Sequence, residues 1–123
     1  MQQLFYNLIN NAIKFRKENS KPVINISSEK VKPSELKIAG KQIEDVNYYK
    51  ISVADNGIGF DAKYAEDIFM VFKRLHSYQE FEGTSVGLSI CKKIIDRHNG
   101  FITAHSKINE GSVFVVYLPE KLD

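Results

Sequence analysis

The stretch Gln3-Leu-Phe-Tyr-Asn-Leu-Ile-Asn-Asn-Ala-Ile-Lys-Phe15 decides the fold of this chain. Its apolar residues recur at helical spacing. At about 100° per residue, Leu4, Phe5, Leu8, Ile9, Ala12, Ile13 and Phe15 cover one broad arc, and Gln3, Asn7, Asn10, Asn11 and Lys14 fall on the narrow remainder. A solvated helix face normally carries Glu, Lys, Gln or Arg. Asparagine in mid-helix costs several tenths of a kcal/mol relative to Ala, so its repeated use here suggests that the amides are used. Their carbonyl oxygens and NH2 groups suit a hard cation, a phosphate or a purine. The alternative is a merely polar surface face.

Outward from this stretch, the helix is expected to run from Gln2 to Lys17, ended by Asn19, Ser20 and Pro22. Lys14, Arg16 and Lys17 suit its negative pole. Val23 to Ser27 alternates and is β-branched, which predicts a strand that could extend towards Val31. Lys32 to Val46 is polar, with Pro33 and Gly40, and reads as a long connection with no chemistry of its own, the expected seat of mobility. Tyr48 to Ala54 alternates again, with Tyr49, Ile51 and Val53 on one face. The two strands are expected to pair antiparallel.

Ala62 to Phe72 reads as one or two short helical turns and His76 to Ser85 as a loop. A second helix is expected over Val86–His98, with Leu88, Ile90, Cys91, Ile94 and Ile95 buried and Lys92, Lys93 and Arg97 wet. Asn99-Gly100 ends it. Two further strands, Phe101–Ser106 and Ser112–Leu118, flank a hairpin turn at Asn109-Glu-Gly111. Strands in consecutive pairs, rather than alternating with helices, predict an α+β, two-layer sandwich: a mixed, mostly antiparallel sheet with helices on one face.

Composition narrows the function. The 123 residues have the length of one domain, and 43% hydrophobic with 26% charged residues is ordinary for a soluble fold. A net charge of +2 argues for neither nucleic acid nor a membrane surface. A single cysteine precludes an internal disulfide and fits a reducing, cytoplasmic setting. No secretory signal or membrane-length apolar run is visible. The abrupt start on a helix suggests a piece of a longer protein.

Three stretches carry candidate chemistry. Asp55-Asn-Gly-Ile-Gly59 follows the second strand at once. A carboxylate there can accept from an exocyclic amine while Gly57 and Gly59 let a flat ring approach the backbone. A plain hairpin turn is the alternative, but no strand follows directly. Gly83-Thr-Ser-Val-Gly-Leu88 feeds the second helix, whose free N–H groups and dipole could bind phosphate. It could equally be a flexible loop capped by Thr84 or Ser85. Lys73 or Arg74 could reach a terminal phosphate, or be a surface charge pair. The three histidines show no metal-ligand spacing.

In this order the stretches resemble the ATP-binding catalytic domain of sensor histidine kinases, in the Bergerat-fold ATPase superfamily. Asn7 to Phe15 is similar to the family's N box, Asp55 to Gly59 to its G1 box, Ile68 to Phe72 to its F box, Gly83 to Gly100 to its G2 box and following helix, and Gly111 to Pro119 to its closing strand. The resemblance implies ATP and Mg2+ as ligands. It makes Asn11 the metal ligand and Asn7 a support of the metal and phosphate shell. Lys14 would contact phosphate and Phe15 would lie against the nucleotide. Asp55 would accept from the adenine amine, with Gly57, Ile58 and Gly59 beside the base. Arg74 would meet the terminal phosphate. The stretch from His76 to Ser85 would be a lid. Gly83, Thr84, Ser85, Val86 and Gly87 would bring the helix N-terminus to the phosphates, with Leu88 near the base. Catalysis would fall to Asn11, Lys14 and Arg74.

The chain departs from the family at Ser85, where glycine is usual, and at Asn99, another frequent glycine. No histidine here lies in a phosphoacceptor helix, and the family's first strand is not visible. The implied partners are a histidine-bearing dimerisation domain of the parent protein, which could itself be membrane-anchored, and a downstream response regulator. No nucleic acid or membrane contact is expected of the domain itself. The alternatives are a degenerate docking module without kinase activity, and an anti-sigma-factor-type serine kinase, whose lid the present one resembles less.

Overall fold

The structure, a computed structural model, describes residues 2–36, 43–61, 63 and 84–120. Helix α1 spans Gln2–Lys14 and buries Leu4, Leu8 and Ala12. It stops three residues short of the expected Lys17. Phe15 closes the last turn by donating to Asn11 O, and Asn19 turns the chain with φ 64°, a conformation asparagine tolerates better than most residues. The buried stripe is also narrower than the apolar arc: Ile13 is 41% exposed.

Four strands follow: β1, Ile24–Val31; β2, Tyr48–Asp55; β3, Phe101–Lys107; and β4, Gly111–Pro119. They form one sheet in the order β1-β2-β4-β3, and every described pair is antiparallel. The expected α+β sandwich with a mostly antiparallel sheet is thus borne out, and among the described residues the sheet is antiparallel throughout. Helix α2 spans Thr84–Arg97, so Thr84 and Ser85 are helical rather than part of the expected loop and cap. Asn99 takes φ 60°, as its place after the helix predicts. The expected short helix over 62–72 lies outside the described residues, apart from Lys63.

Register sorts the sheet into two faces. Val53, Phe114 and Ala104 stand in one cross-strand row, with Ile51, Val116 and Ile102 in the next. These rows pack beneath Leu4 and Leu8 of α1 and Leu88, Cys91 and Ile95 of α2 to make the main core. Burying side chains of this size contributes roughly 1.5–3 kcal/mol each. Ile94 packs partly against the core, whereas Ile90 is only half-buried.

The opposite face is not bare. Val31, Tyr48 and Phe101 form a second cluster, against which Leu36, Ile43 and Val46 pack. The Tyr48 and Phe101 rings stack with centroids 5.8 Å apart, and Glu44 N donates to Tyr48 Oη at 2.9 Å. The long connection therefore contributes to the packing, because its apolar residues cover one end of the outer sheet face.

Candidate functional site

The polar arc of α1 splits on folding. Asn7 and Asn11 are half-buried, while Gln3, Asn10 and Lys14 are exposed. Asn7 and Asn11 are four residues apart and so share a helix face. The Asn7 amide lies beside the buried thiol of Cys91. A thiol is a weak acceptor, and the buried Asn7 Nδ2 finds no hydrogen-bond partner among the described residues. The thiol is thus its one weak contact, on the side of α1 that faces α2. Lys14 Nζ lies 5.7 Å from the centre of the Phe15 ring at the helix end. Lys14, Arg16, Lys17 and Lys21 line a shallow basic depression there.

Asp55 ends β2 and opens the turn. Gly57 N donates to its Oδ1 at 2.9 Å. Burial pushes the Asp55 carboxyl above its ordinary value, and hydrogen bonds from the Gly57 and Ser112 N–H groups oppose that push in part. A half-buried carboxylate with two fixed donors is a well-held acceptor. It borders an open depression of about 580 Å3, which Ser106, Lys107, Glu110 and Ser112 also line.

The turn after Asp55 is pinned on three sides. Ile58 N donates to Phe15 O at 2.9 Å, and Asn109 N donates to Ile58 O at 2.6 Å. Phe60 N donates to Ser106 Oγ at 2.8 Å. Asn56 secures the other side: its Oδ1 accepts from Val23 N at 2.8 Å and its Nδ2 donates to Lys21 O at 3.1 Å. This packing gives the two glycines a reason beyond ligand approach. A Cβ on Gly57 would come within 2.6 Å of Phe15 O. Gly59 has φ +68°, and a Cβ there would meet Lys107 O at 2.1 Å. On their Cβ side both glycines are filled by protein.

Thus α1, the Asp55 turn and the β3–β4 hairpin converge on one end of the sheet. Phe15, Asp55, Gly57, Ile58 and Gly59 meet there, with Lys14 beside Phe15; Asn11 lies one turn back along α1, and Asn7 a further turn back, against Cys91 of α2. Thr84, Ser85, Val86 and Gly87 lie in the first turn of α2. Ser85 is helical, so the backbone here does not ask of it the left-handed conformation that a glycine would ease. Leu88 is 2% exposed and belongs to the main core. Arg74, Gly83 and His76 lie outside the described residues. The sequence reading missed Asn56, Ser106 and Ser112. The signal available for the serines was their placement: small hydroxyls on either side of the hairpin, on the otherwise apolar helix-facing sides of β3 and β4.

No group of three or more His, Cys, Asp or Glu that could hold a metal occurs among the described residues. Any cation here would rely on amide oxygens and on the ligand's own phosphates, a donor set that suits Mg2+. No described helix is long and apolar enough to cross a membrane.

The family model for histidine kinase-, DNA gyrase B- and HSP90-like ATPases matches residues 1–122, and the chain belongs to that family. Within it, the chain is a histidine kinase ATP-binding catalytic domain. It is 43% identical over 119 residues to cyanobacterial phytochrome A of Nostoc sp., covering 97% of this chain and 14% of that protein. It is 32% identical over 118 residues to the sensor protein RprX of Bacteroides fragilis, covering 94% of this chain and 20% of that protein. The catalytic domain of the histidine kinase ThkA superposes with a TM-score of 0.66 at 32% identity, over 95% of this chain and 64% of that one. The chain therefore spans only about a seventh of the phytochrome's length, 14%.

Proposed function

We propose that this domain holds Mg-ATP for in-line transfer of the γ-phosphoryl group to a histidine on a separate dimerisation domain of its parent protein. A response regulator would then take the phosphoryl group. The observation that carries the reading is the junction at the sheet end. Asn7 and Asn11, facing one way from α1, are tied through Phe15 and Ile58 to the turn that carries Asp55.

In this reading Asp55 accepts from the adenine amine, beside Gly57, Ile58 and Gly59. Phe15 supports the nucleotide, and Lys14 and Asn7 donate to the phosphates. Asn11 would hold Mg2+ through its amide oxygen. When bound, the cation would neutralise charge on the β- and γ-phosphates. The first turn of α2, from Thr84 to Leu88, offers N–H groups and a positive dipole end. Arg74 and Gly83 would complete the phosphate contacts. The domain's own contribution is positioning and charge compensation, because phosphoryl transfer asks little covalent chemistry of the protein. A cytoplasmic location accords with ATP supply and the lone cysteine.

The test is transfer itself. Mixed with radiolabelled Mg-ATP and the dimerisation domain of its parent, the chain is expected to produce acid-labile phosphohistidine on that partner. Binding of ATP with no transfer to any histidine-bearing partner would instead favour a docking module.

A further inference from the structure

We infer that Ser106 is a positioning residue for the base-reading end of the site: its hydroxyl holds the Asp55 turn and the β3–β4 hairpin in one arrangement. This rests on the reading of Asp55 as the acceptor for the adenine amine.

Register places Asp55, Ser112 and Ser106 in one cross-strand row at the end of the sheet, since Asp55 pairs with Ser112 and Ser112 with Ser106. Three groups converge on Ser106 Oγ. Phe60 N lies at 2.8 Å, Gly111 O at 2.7 Å and Ser112 Oγ at 2.9 Å. A serine hydroxyl has one proton and two lone pairs. The Phe60 N–H can only donate, so it takes one lone pair. The Gly111 carbonyl can only accept, so it takes the proton. Ser112 must then donate to the remaining lone pair. All three capacities of Ser106 are used, with a single consistent direction for every proton.

Two consequences reach Asp55. The first is geometric. Ser106 links Phe60, at the far end of the glycine turn, to Gly111, the residue before Ser112. The Ser112 N–H in turn hydrogen-bonds the Asp55 carboxylate. Gly59 lies within this clasp, its Cβ direction blocked at 2.9 Å by Ser106 Oγ and at 3.0 Å by Gly111 O. The second is electronic. With its proton drawn to Ser106, the 7%-exposed Ser112 hydroxyl keeps only lone pairs beside Asp55. The row Asp55–Ser112 then presents acceptors only. Set against the 6-position of a purine, it matches a 6-amino group, which donates, and disfavours a 6-oxo group, which accepts. Removing the Ser106 hydroxyl frees both the turn and the Ser112 proton.

The experiment titrates ATP and inosine triphosphate, which lacks the exocyclic amine, into the wild type, Ser106→Ala, Ser106→Thr, Asp55→Asn and the Asp55→Asn/Ser106→Ala double variant. Ser106→Ala is expected to weaken ATP by roughly 3- to 10-fold, the scale of a lost hydrogen bond, while inosine triphosphate changes less than 2-fold. Ser106→Thr, which keeps the hydroxyl, restores ATP affinity. In the Asp55→Asn background the alanine change costs ATP nothing further. Should Ser106→Ala not fold, the near-isosteric Ser106→Cys serves the same comparison, because a thiol is a weak donor and acceptor. Equal losses for the two nucleotides, or an unchanged ATP affinity where Asp55→Asn does weaken ATP, overturn the role of Ser106 alone. Failure of the wild type to bind ATP, or indifference of ATP to Asp55→Asn, overturns the reading of Asp55 and this inference with it.

Discussion

Ile58 N donates to Phe15 O at 2.9 Å, so the turn that follows β2 is fastened to the residue that closes α1. The same Ile58 accepts from Asn109 N on its carbonyl side. One residue thereby joins the asparagine-bearing helix, the aspartate turn and the β3–β4 hairpin. In the proposed site, the parts that meet phosphate and the part that meets the base are set relative to one another by backbone hydrogen bonds rather than by flexible side chains.

The fastening makes Gly59 sensitive. Alanine there would adopt a left-handed φ of +68° and press its Cβ towards Lys107 O, 2.1 Å away. The left-handed conformation alone costs about 1–2 kcal/mol, and the clash adds to it. Gly59→Ala is expected to lose about 2–3 kcal/mol of stability, read as a lower denaturant midpoint at unchanged slope. A loss under about 0.5 kcal/mol would show that the turn is not packed as described.

The raised pKa of Asp55 has a definite sign. Between the ordinary value of 3.8 and the higher folded value, the folded state holds a proton that the unfolded state releases. The stability from this group is present below 3.8 and fades as pH rises through the folded value. Asp55→Asn should remove that decline from the pH profile of the nucleotide-free domain and should not destabilise it at neutral pH. ATP binding should run the other way, weakening on acidification at a pH above 3.8 as the acceptor is protonated. Urea titrations and ATP titrations across pH, on wild type and variant, check both signs.

Cys91 offers a probe of the helix pair. Its thiol is fully buried, donates to Leu4 O at 3.8 Å and has its pKa pushed up to about 11, mainly by burial. It should be inert to thiol reagents at neutral pH in the folded domain and react only on unfolding. A labelling rate in native buffer within about 10-fold of that in denaturant would mean that α1 and α2 separate readily.

The outer cluster is expected to act on stability and not on nucleotide. Tyr48 is completely buried against Phe101, on the face away from the helices. Tyr48→Ala should cost about 3–5 kcal/mol. At a temperature where the variant remains folded, its ATP affinity should match that of the wild type. Calorimetric unfolding and nucleotide titration together separate the two effects.

Much of this was legible in the sequence because its period survives folding. The amphipathic spacing of Leu4, Leu8 and Ala12, the alternation in Tyr48–Ala54 and the Asn109-Glu-Gly111 turn all recur as α1, β2 and the hairpin. Alternation alone did not say which tyrosine is buried. Tyr49 shares the helix-facing side with Ile51 and Val53 yet is 41% exposed, while Tyr48 is sealed by a connection whose sequence looked merely polar. The sequence places the start of α2 two residues too late, because Thr84 and Ser85 are cap formers by propensity and nothing local marks them as helical. Asp55 and the asparagines stood out as polar groups in costly places. Ser106 and Ser112 did not, since a serine in a strand shows its purpose only when register brings its partners across the sheet.

The central claim is that Asp55 reads the amine of an adenine nucleotide held on Mg2+ at this junction. The most direct test is calorimetric titration of the wild type with ATP, with and without Mg2+, alongside Asp55→Asn and Asn11→Ala. The account predicts binding that tightens with Mg2+, falls about 10- to 100-fold in Asp55→Asn and loses its Mg2+ dependence in Asn11→Ala. Binding that is absent from the wild type, or that survives Asp55→Asn unchanged, would contradict it.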